Sequence, residues 1–160
     1  MKLKEDLRAF SGNNKKKALE TALTNPCFHA VALFRLSNLL YRMHLSPLAK
    51  MVWYYNRVIY SCDIDYRADL AGGFVLVHGI GTVIGRYVRS EGLLRVYQGV
   101  TIGGSNRLKG EYAERTFRQP VLKDNVCVYT GAKIFGPVVI GKNNVVKSGA
   151  IVTEDKPDKE

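Results

Sequence analysis

The stretch from Leu122 to Val152, LKDNVCVYTGAKIFGPVVIGKNNVVKSGAIV, repeats a pattern every six residues. Leu122, Val128, Ile134, Ile140, Val146 and Val152 are all aliphatic, and Val126, Ala132, Val138 and Ala150 fill a second slot four residues further on. A period of six suits neither the period of about 3.6 of a helix nor the period of about 2 of a strand. It suits a coil whose triangular turn has three short sides, each contributing one inward aliphatic. Stacked coils join those residues into continuous ladders, with backbone hydrogen bonds running from coil to coil. Gly131, Gly136, Gly141 and Gly149 recur where such a chain must turn tightly. The alternative, an all-β sandwich, has strands recurring at about 8–12 residues without a fixed phase. The stretch therefore predicts a mainly β protein built on a parallel β-helix.

The same beat runs upstream. Ile84, Val96 and Ile102 keep one register, broken at Ser90, and Val88, Leu94 and Val100 keep the companion slot, so the period is expected to hold from Leu70 onward. Ile102 and Leu122 stand 20 residues apart, two more than three repeats, and the polar segment between them reads as a loop excursion over 103–121. Excursions from repeat coils often shape binding sites, so Ser105 to Arg118 is where substrate contacts are expected. Before the coil, Val31, Phe34, Leu36, Leu39 and Leu40 follow helical spacing. Asn25-Pro26 is a helix start, and Pro47 separates a second short helix, Leu48 to Tyr60, that carries Trp53, Tyr54, Tyr55 and Tyr60. Lys15-Lys16-Lys17 sits in a Gly/Asn-rich break and reads as a solvated loop. The predicted layout is a helical segment over 1–62 followed by the β-helix over 63–160.

With 160 residues, 46% of them hydrophobic, the chain suffices for one compact unit. No stretch approaches the roughly 18 uncharged apolar residues of a membrane span, and the charged start lacks the apolar core of a secretory signal, which predicts a cytoplasmic protein. Cys27, Cys62 and Cys127 are scattered without paired spacing and read as apolar fillers rather than disulfide or zinc ligands. The net charge of +10 and pI near 9.6 favour a phosphorylated cofactor, a polyanion or peripheral contact with an anionic membrane surface. Bases interleaved with acids, and no nucleic-acid motif, argue against nucleic acid. A non-catalytic basic scaffold module is the alternative of a different class.

Asp63-Ile64-Asp65, then Val77-His78-Gly79-Ile80-Gly81-Thr82-Val83-Ile84-Gly85, then Gln98-Gly99-Val100-Thr101-Ile102-Gly103-Gly104, and finally Arg118-Gln119-Pro120, closely resemble the serine acetyltransferase branch of the hexapeptide-repeat acyltransferases. The resemblance covers roughly Phe28 to Val152. It implies a left-handed coil, assembly as a homotrimer with each cofactor site between two neighbours, and acetyl-CoA as co-substrate with no metal. His78 matches the family's catalytic position and Asp63 the carboxylate that orients the imidazole. Gly103 and Gly104 match the backbone that approaches the pantetheine arm and thioester, and Thr130 and Ser148 match further cofactor positions. Arg118 matches the arginine that binds the acceptor's carboxylate. His29 and His44 fall on the predicted helices and read as packing or surface residues.

The chemistry agrees with these roles. An alcohol attacking a thioester must lose its proton, and an imidazole is suited to take it near neutral pH. A carboxylate behind the imidazole fixes its orientation and stabilises its charged form. A backbone amide at Gly104 is a candidate donor to the developing oxyanion. Two departures bear on the acceptor. Where serine acetyltransferases carry an aspartate before the catalytic histidine, this chain has Val77, and the family's Arg-His-Pro reads Arg118-Gln119-Pro120. The missing charge at Val77 directs the expectation to a sugar hydroxyl of a surface polysaccharide or its precursor. Free serine, with Asp65 or Glu111 holding its ammonium, is the second reading.

Overall fold

The structure, a computed structural model, describes residues 2–104, 109–112 and 115–160. Among these residues fourteen strands, β1 to β14 in chain order, form three parallel sheets and one hairpin. One sheet stacks β1 (Asp63–Ile64), β3 (Val83–Ile84), β6 (Thr101–Gly103), β11 (Lys133–Phe135) and β14 (Ile151–Val152). A second stacks β2 (Phe74–Val77), β5 (Leu94–Tyr97), β10 (Val126–Val128) and β13 (Val145–Val146). The third stacks β4 (Arg89–Ser90), β9 (Val121–Leu122) and β12 (Val139–Ile140), and single bridges from Asp69 and Lys156 extend it at either end. The chain visits the three sheets in rotation, which makes a parallel β-helix.

The pairing register accounts for the six-residue beat. Ile64, Ile84, Ile102, Ile134 and Val152 stand above one another in the first sheet, and Leu76, Val96, Val128 and Val146 in the second, each at most 6% exposed. Each such side chain contributes about 1.5–3 kcal/mol by burial. Ser90 occupies an inward place in the third column because its Oγ accepts the Ala71 N–H at 2.9 Å.

The beat is not strict, however. Thr101 follows Val83 by 18 residues and Ile151 follows Lys133 by 18, but Val83 follows Asp63 by 20 and Lys133 follows Thr101 by 32. The long step is the excursion, which contains the antiparallel hairpin β7 (Gly110–Tyr112) and β8 (Arg115–Phe117). Gly103 and Val121 themselves remain in the coil, so the excursion is narrower than 103–121 at both ends. Residues 105–108 and 113–114, part of the segment expected to meet substrate, lie outside the described residues.

Four helices precede the coil: α1 (Lys2–Ser11), α2 (Lys15–Thr24), α3 (Pro26–Arg42) and α4 (Ser46–Tyr60). Lys15-Lys16-Lys17 is not a loop but the first turn of α2, because Asn14 caps it by accepting the Lys17 N–H at 3.1 Å. Asn25 caps α3 in the same way through Phe28 N–H, with Pro26 in the first turn. His44 lies in the turn between α3 and α4 with φ +61°, not on a helix. No helix of the described residues is long and apolar enough to cross a membrane.

A buried ion pair docks the helices on the open end of the coil. Arg35 of α3 meets Asp6 of α1 through Nε at 2.8 Å and Nη2 at 2.9 Å, and also donates to the carbonyls of Leu70 and Ala71. Asp6 in turn accepts the Phe74 N–H at 2.8 Å. Asn38 donates to the Tyr66 and Ala68 carbonyls, and Phe34 packs edge-on against Phe74. At the other end Lys156 bridges to Ile140, while Asp155 and Asp158 accept the N–H groups of Val139 and Lys142, closing the last turn with polar residues.

Candidate active site

The step of 20 residues between Asp63 and Val83 places two extra residues at one corner. Five residues, His78 to Thr82, separate β2 from β3, where only Gln98, Gly99 and Val100 separate β5 from β6. The register fixes the difference, since Val77 pairs with Tyr97 and Val83 with Thr101. The longer corner cannot lie flat on the coil below. His78 takes a left-handed backbone with φ +58°, Gly79 and Gly81 follow at +29° and +71°, and the Ile80 N–H bonds back to the His78 carbonyl. The outcome is an exposed imidazole raised from the coil.

The corner continues as a ladder through the remaining coils. Gly81 N–H donates to Ser61, Gly99 to Ile80, Gly131 to Gln98 and Gly149 to Thr130, at 2.8–3.0 Å. The four glycines share φ values of +68° to +71°, a conformation that disfavours a side chain. This column brings His78, Thr130 and Ser148 to one edge, with Thr130 and Ser148 exposed. A cavity of about 370 Å³ opens beside His78 between the start of α3 and the end of α4, lined by Cys27, Ala30, Tyr60, Ser61 and Leu76 among others.

Asp63 starts the side that follows this corner, two residues after Ser61. Its Oδ1 accepts Trp53 Nε1–H at 2.9 Å and its Oδ2 lies 3.3 Å from Arg57 Nη1. No hydrogen bond joins His78 to Asp63 among the described residues, so the two share a corner without being paired. Burial pushes the Cys27 thiol above its ordinary range, partly offset by a hydrogen bond with the His78 backbone. Cys62, between Ser61 and Asp63, is pushed up to about 12 by burial, with the nearby charges of Cys27 and Asp63 adding to it.

The other expected residues gather elsewhere. Gly103 ends β6, Gly104 begins the excursion, and Arg118 and Gln119 end it. A Cβ on Gly104 would strike the Arg118 carbonyl and the Gln119 amide, so this glycine is required by the chain's own closure. Among the described residues, no atom lies within 4 Å of a Cβ built on Gly103. Arg118 is exposed, and Gln119 Oε1 is buried with no hydrogen-bond partner among the described residues. This cluster and the His78 corner lie at opposite ends of the first sheet. The His78 corner precedes β3, whereas Gly103 and Gly104 follow the start of β6 and Arg118 and Gln119 precede β9, so the two groups sit at different corners of the coil. Val77 is half-buried beside Tyr97 and presents no charge. Asp65 is taken by Arg67, which grips it through two nitrogens at 2.7 and 2.8 Å. The sequence reading placed Trp53 on the helix that is α4 but assigned neither it nor Arg57 a contact with Asp63, for which their spacing of four on one helix was the available signal.

No protein-family model matches the chain. The serine acetyltransferase of Bacillus subtilis (strain 168) is 30% identical over 158 residues, covering 98% of this chain and 70% of that protein. The serine acetyltransferase of Helicobacter pylori (strain 26695) is 30% identical over 138 residues, 86% of this chain and 77% of the relative. Among solved structures, serine acetyltransferase from Brucella abortus strain S19 in complex with coenzyme A superposes with a TM-score of 0.86 at 26% identity, covering 98% of this chain and 61% of that one. The Neisseria gonorrhoeae serine acetyltransferase in complex with serine gives 0.84 at 28% identity, covering 98% and 63%. The chain thus spans somewhat less than two thirds of these solved chains.

These likenesses correct the expectation of a sugar hydroxyl. They run over almost the whole chain and all concern serine acetyltransferases, one with serine bound, whereas the sugar reading rested on a single missing charge at Val77. One apolar substitution removes one contact, and the family likeness outweighs it. With parallel coils, the raised histidine corner and relatives alike over nearly its entire length, the chain belongs to the serine acetyltransferase family of the hexapeptide-repeat acyltransferases.

Proposed function

We propose that the protein moves the acetyl group of acetyl-CoA onto the hydroxyl of L-serine, with His78 as general base and Asp63 as the carboxylate that orients it. The observation carrying this reading is the corner, because the first coil is lengthened by two residues and His78 begins the insertion. The imidazole takes the hydroxyl proton while the serine oxygen attacks the thioester carbonyl. Collapse of the tetrahedral adduct breaks the carbon–sulfur bond, and the imidazolium returns its proton to the departing thiolate. One O–H and one C–S bond are exchanged for one C–O and one S–H bond, with no acyl-enzyme between. The hydrogen bond between His78 and Asp63 forms in the substrate complex, as catalytic hydrogen bonds often tighten only there.

The glycine ladder suits an extended pantetheine arm lying along the edge past Thr130 and Ser148, and Gly103 leaves room for the thioester. The coil is left-handed by its likeness to the family. The protein assembles as a homotrimer in the cytoplasm; within one chain the His78 corner precedes β3 and the Arg118–Gln119 cluster precedes β9, at different corners of the coil. A neighbour's excursion set against the His78 corner completes the site. Exposed Leu48, Met51, Tyr54, Tyr55, Val58 and Ile59 on α4 support assembly, since such apolar faces are commonly covered by a partner.

The test is free-thiol release from acetyl-CoA with L-serine, together with the mass in solution. Serine-dependent turnover by a particle of about three times the 17.9 kDa chain is expected. A monomer would refute the shared site, and absence of turnover with L-serine would refute the acceptor.

A further inference from the structure

Both oxygens of Asp63 are held by one helix. Trp53 and Arg57 stand four residues apart on α4 and therefore face the same way. The indole N–H binds Oδ1 at 2.9 Å, the guanidinium approaches Oδ2 at 3.3 Å, and Arg57 lies over the indole ring at 5.9 Å from its centroid. The indole is seated in turn. It packs edge-on against Tyr66, with centroids 6.3 Å apart, and Tyr66 packs against Tyr41 and carries Arg67 over its face at 4.6 Å. Each carboxylate oxygen accepts two hydrogen bonds, so one partner on each leaves room for an imidazole N–H.

We infer that Trp53 and Arg57 are positioning residues for the acetyl transfer: the indole fixes the plane of the Asp63 carboxylate, and the guanidinium shares its charge and so sets the basicity of His78. This rests on the reading of Asp63 and His78 given above. A carboxylate stabilises the imidazolium behind which it sits, and a cation on its other oxygen weakens that stabilisation. Removing the cation returns the full negative charge to His78 and moves the acid limb of kcat/KM to higher pH. Among the described residues, the other titratable groups lining the cavity beside the corner are Cys27 of α3 and Tyr60 of α4, and Cys62 lies buried before Asp63. Cys27 and Cys62 both titrate above their ordinary range and stay neutral around pH 7, so they leave that limb unchanged. Arg57 is 56% exposed, and screening holds the shift to about half a pH unit.

The experiment is a kcat/KM profile from mildly acidic to mildly alkaline pH for the parent, Asp63→Asn, Trp53→Phe, Arg57→Gln and Arg57→Lys. Arg57→Gln is expected to raise the acid limb by that half unit, and Arg57→Lys to restore it. Trp53→Phe is expected to lower kcat about tenfold with the KM for serine unchanged, the scale of one hydrogen bond to a charged group. Parental rates in Asp63→Asn overturn the role of Asp63 and this inference with it. A deficient Asp63→Asn beside a parental limb in Arg57→Gln and a parental kcat in Trp53→Phe overturns the inference alone. Because Arg57 is exposed its variants keep the fold, and the pH profile decides the matter even where Trp53→Phe does not fold.

Discussion

Replacing His78 with glycine should make the protein more stable and all but inactive. The imidazole is exposed, so little burial is lost with it, but its backbone sits at φ +58°, where an L-residue is disfavoured by about 1–2 kcal/mol. Glycine removes that strain and costs about 0.5–1 kcal/mol through the greater freedom of its unfolded chain. The balance is a gain of about 0.5–1 kcal/mol. For a chain of 160 residues that corresponds to a rise in Tm of roughly 1–4 °C. Loss of a general base lowers turnover by about 10²–10⁴. His78→Ala separates the two effects, since it loses the base but keeps the strain: its activity should match that of His78→Gly while its Tm stays at or below the parent's. Thermal melts at matched protein concentration and thiol release at saturating L-serine read both quantities. A His78→Gly variant with parental turnover, or one destabilised by more than about 1 kcal/mol, would show that the corner was misread.

Three further outcomes follow from the packing. Arg35→Met leaves Asp6 buried and unpaired and strips the donors from the Leu70 and Ala71 carbonyls, which should cost about 3–5 kcal/mol by urea unfolding; a loss under 1 kcal/mol would mean the helices dock by apolar contact alone. The Cys62 thiol, raised by burial from 9.0 to about 12, contributes stability that is complete below pH 9.0 and lost as the pH climbs toward 12. Cys62→Ala should flatten that alkaline decline in melts taken across the window, and an unchanged slope would assign the decline to other groups. A Cβ on Gly141 would strike the backbone of Pro157 and Asp158, so Gly141→Ala should release the closing segment and speed hydrogen exchange at Gly141 and Lys156; parental protection there would contradict the contact.

The coil was legible in the sequence because its core is one-dimensional. Every inward place repeats the same demand, so Ile84, Ile102, Ile134 and Val152 carry the same aliphatic character wherever they fall, and a period shows without knowledge of contacts. The roles expected of His78 and Asp63 came only from the family resemblance of the motifs around them. What the sequence obscured were events that change phase without changing composition. The two extra residues at the His78 corner are ordinary small and aliphatic ones, and only strand pairing shows them as an insertion. The lysines at 15–17 suggested a loop, but a single side-chain cap at Asn14 was enough to start a helix there. Local chemistry thus determined the coil and its ladder. Tertiary structure alone decided that α4 would hold Asp63, that Arg35 and Asp6 would clamp the helices to the coil, and that the expected site residues would fall at two separated corners. Those relations join residues far apart in sequence, and no short-range pattern encodes a distance that only the closed fold sets.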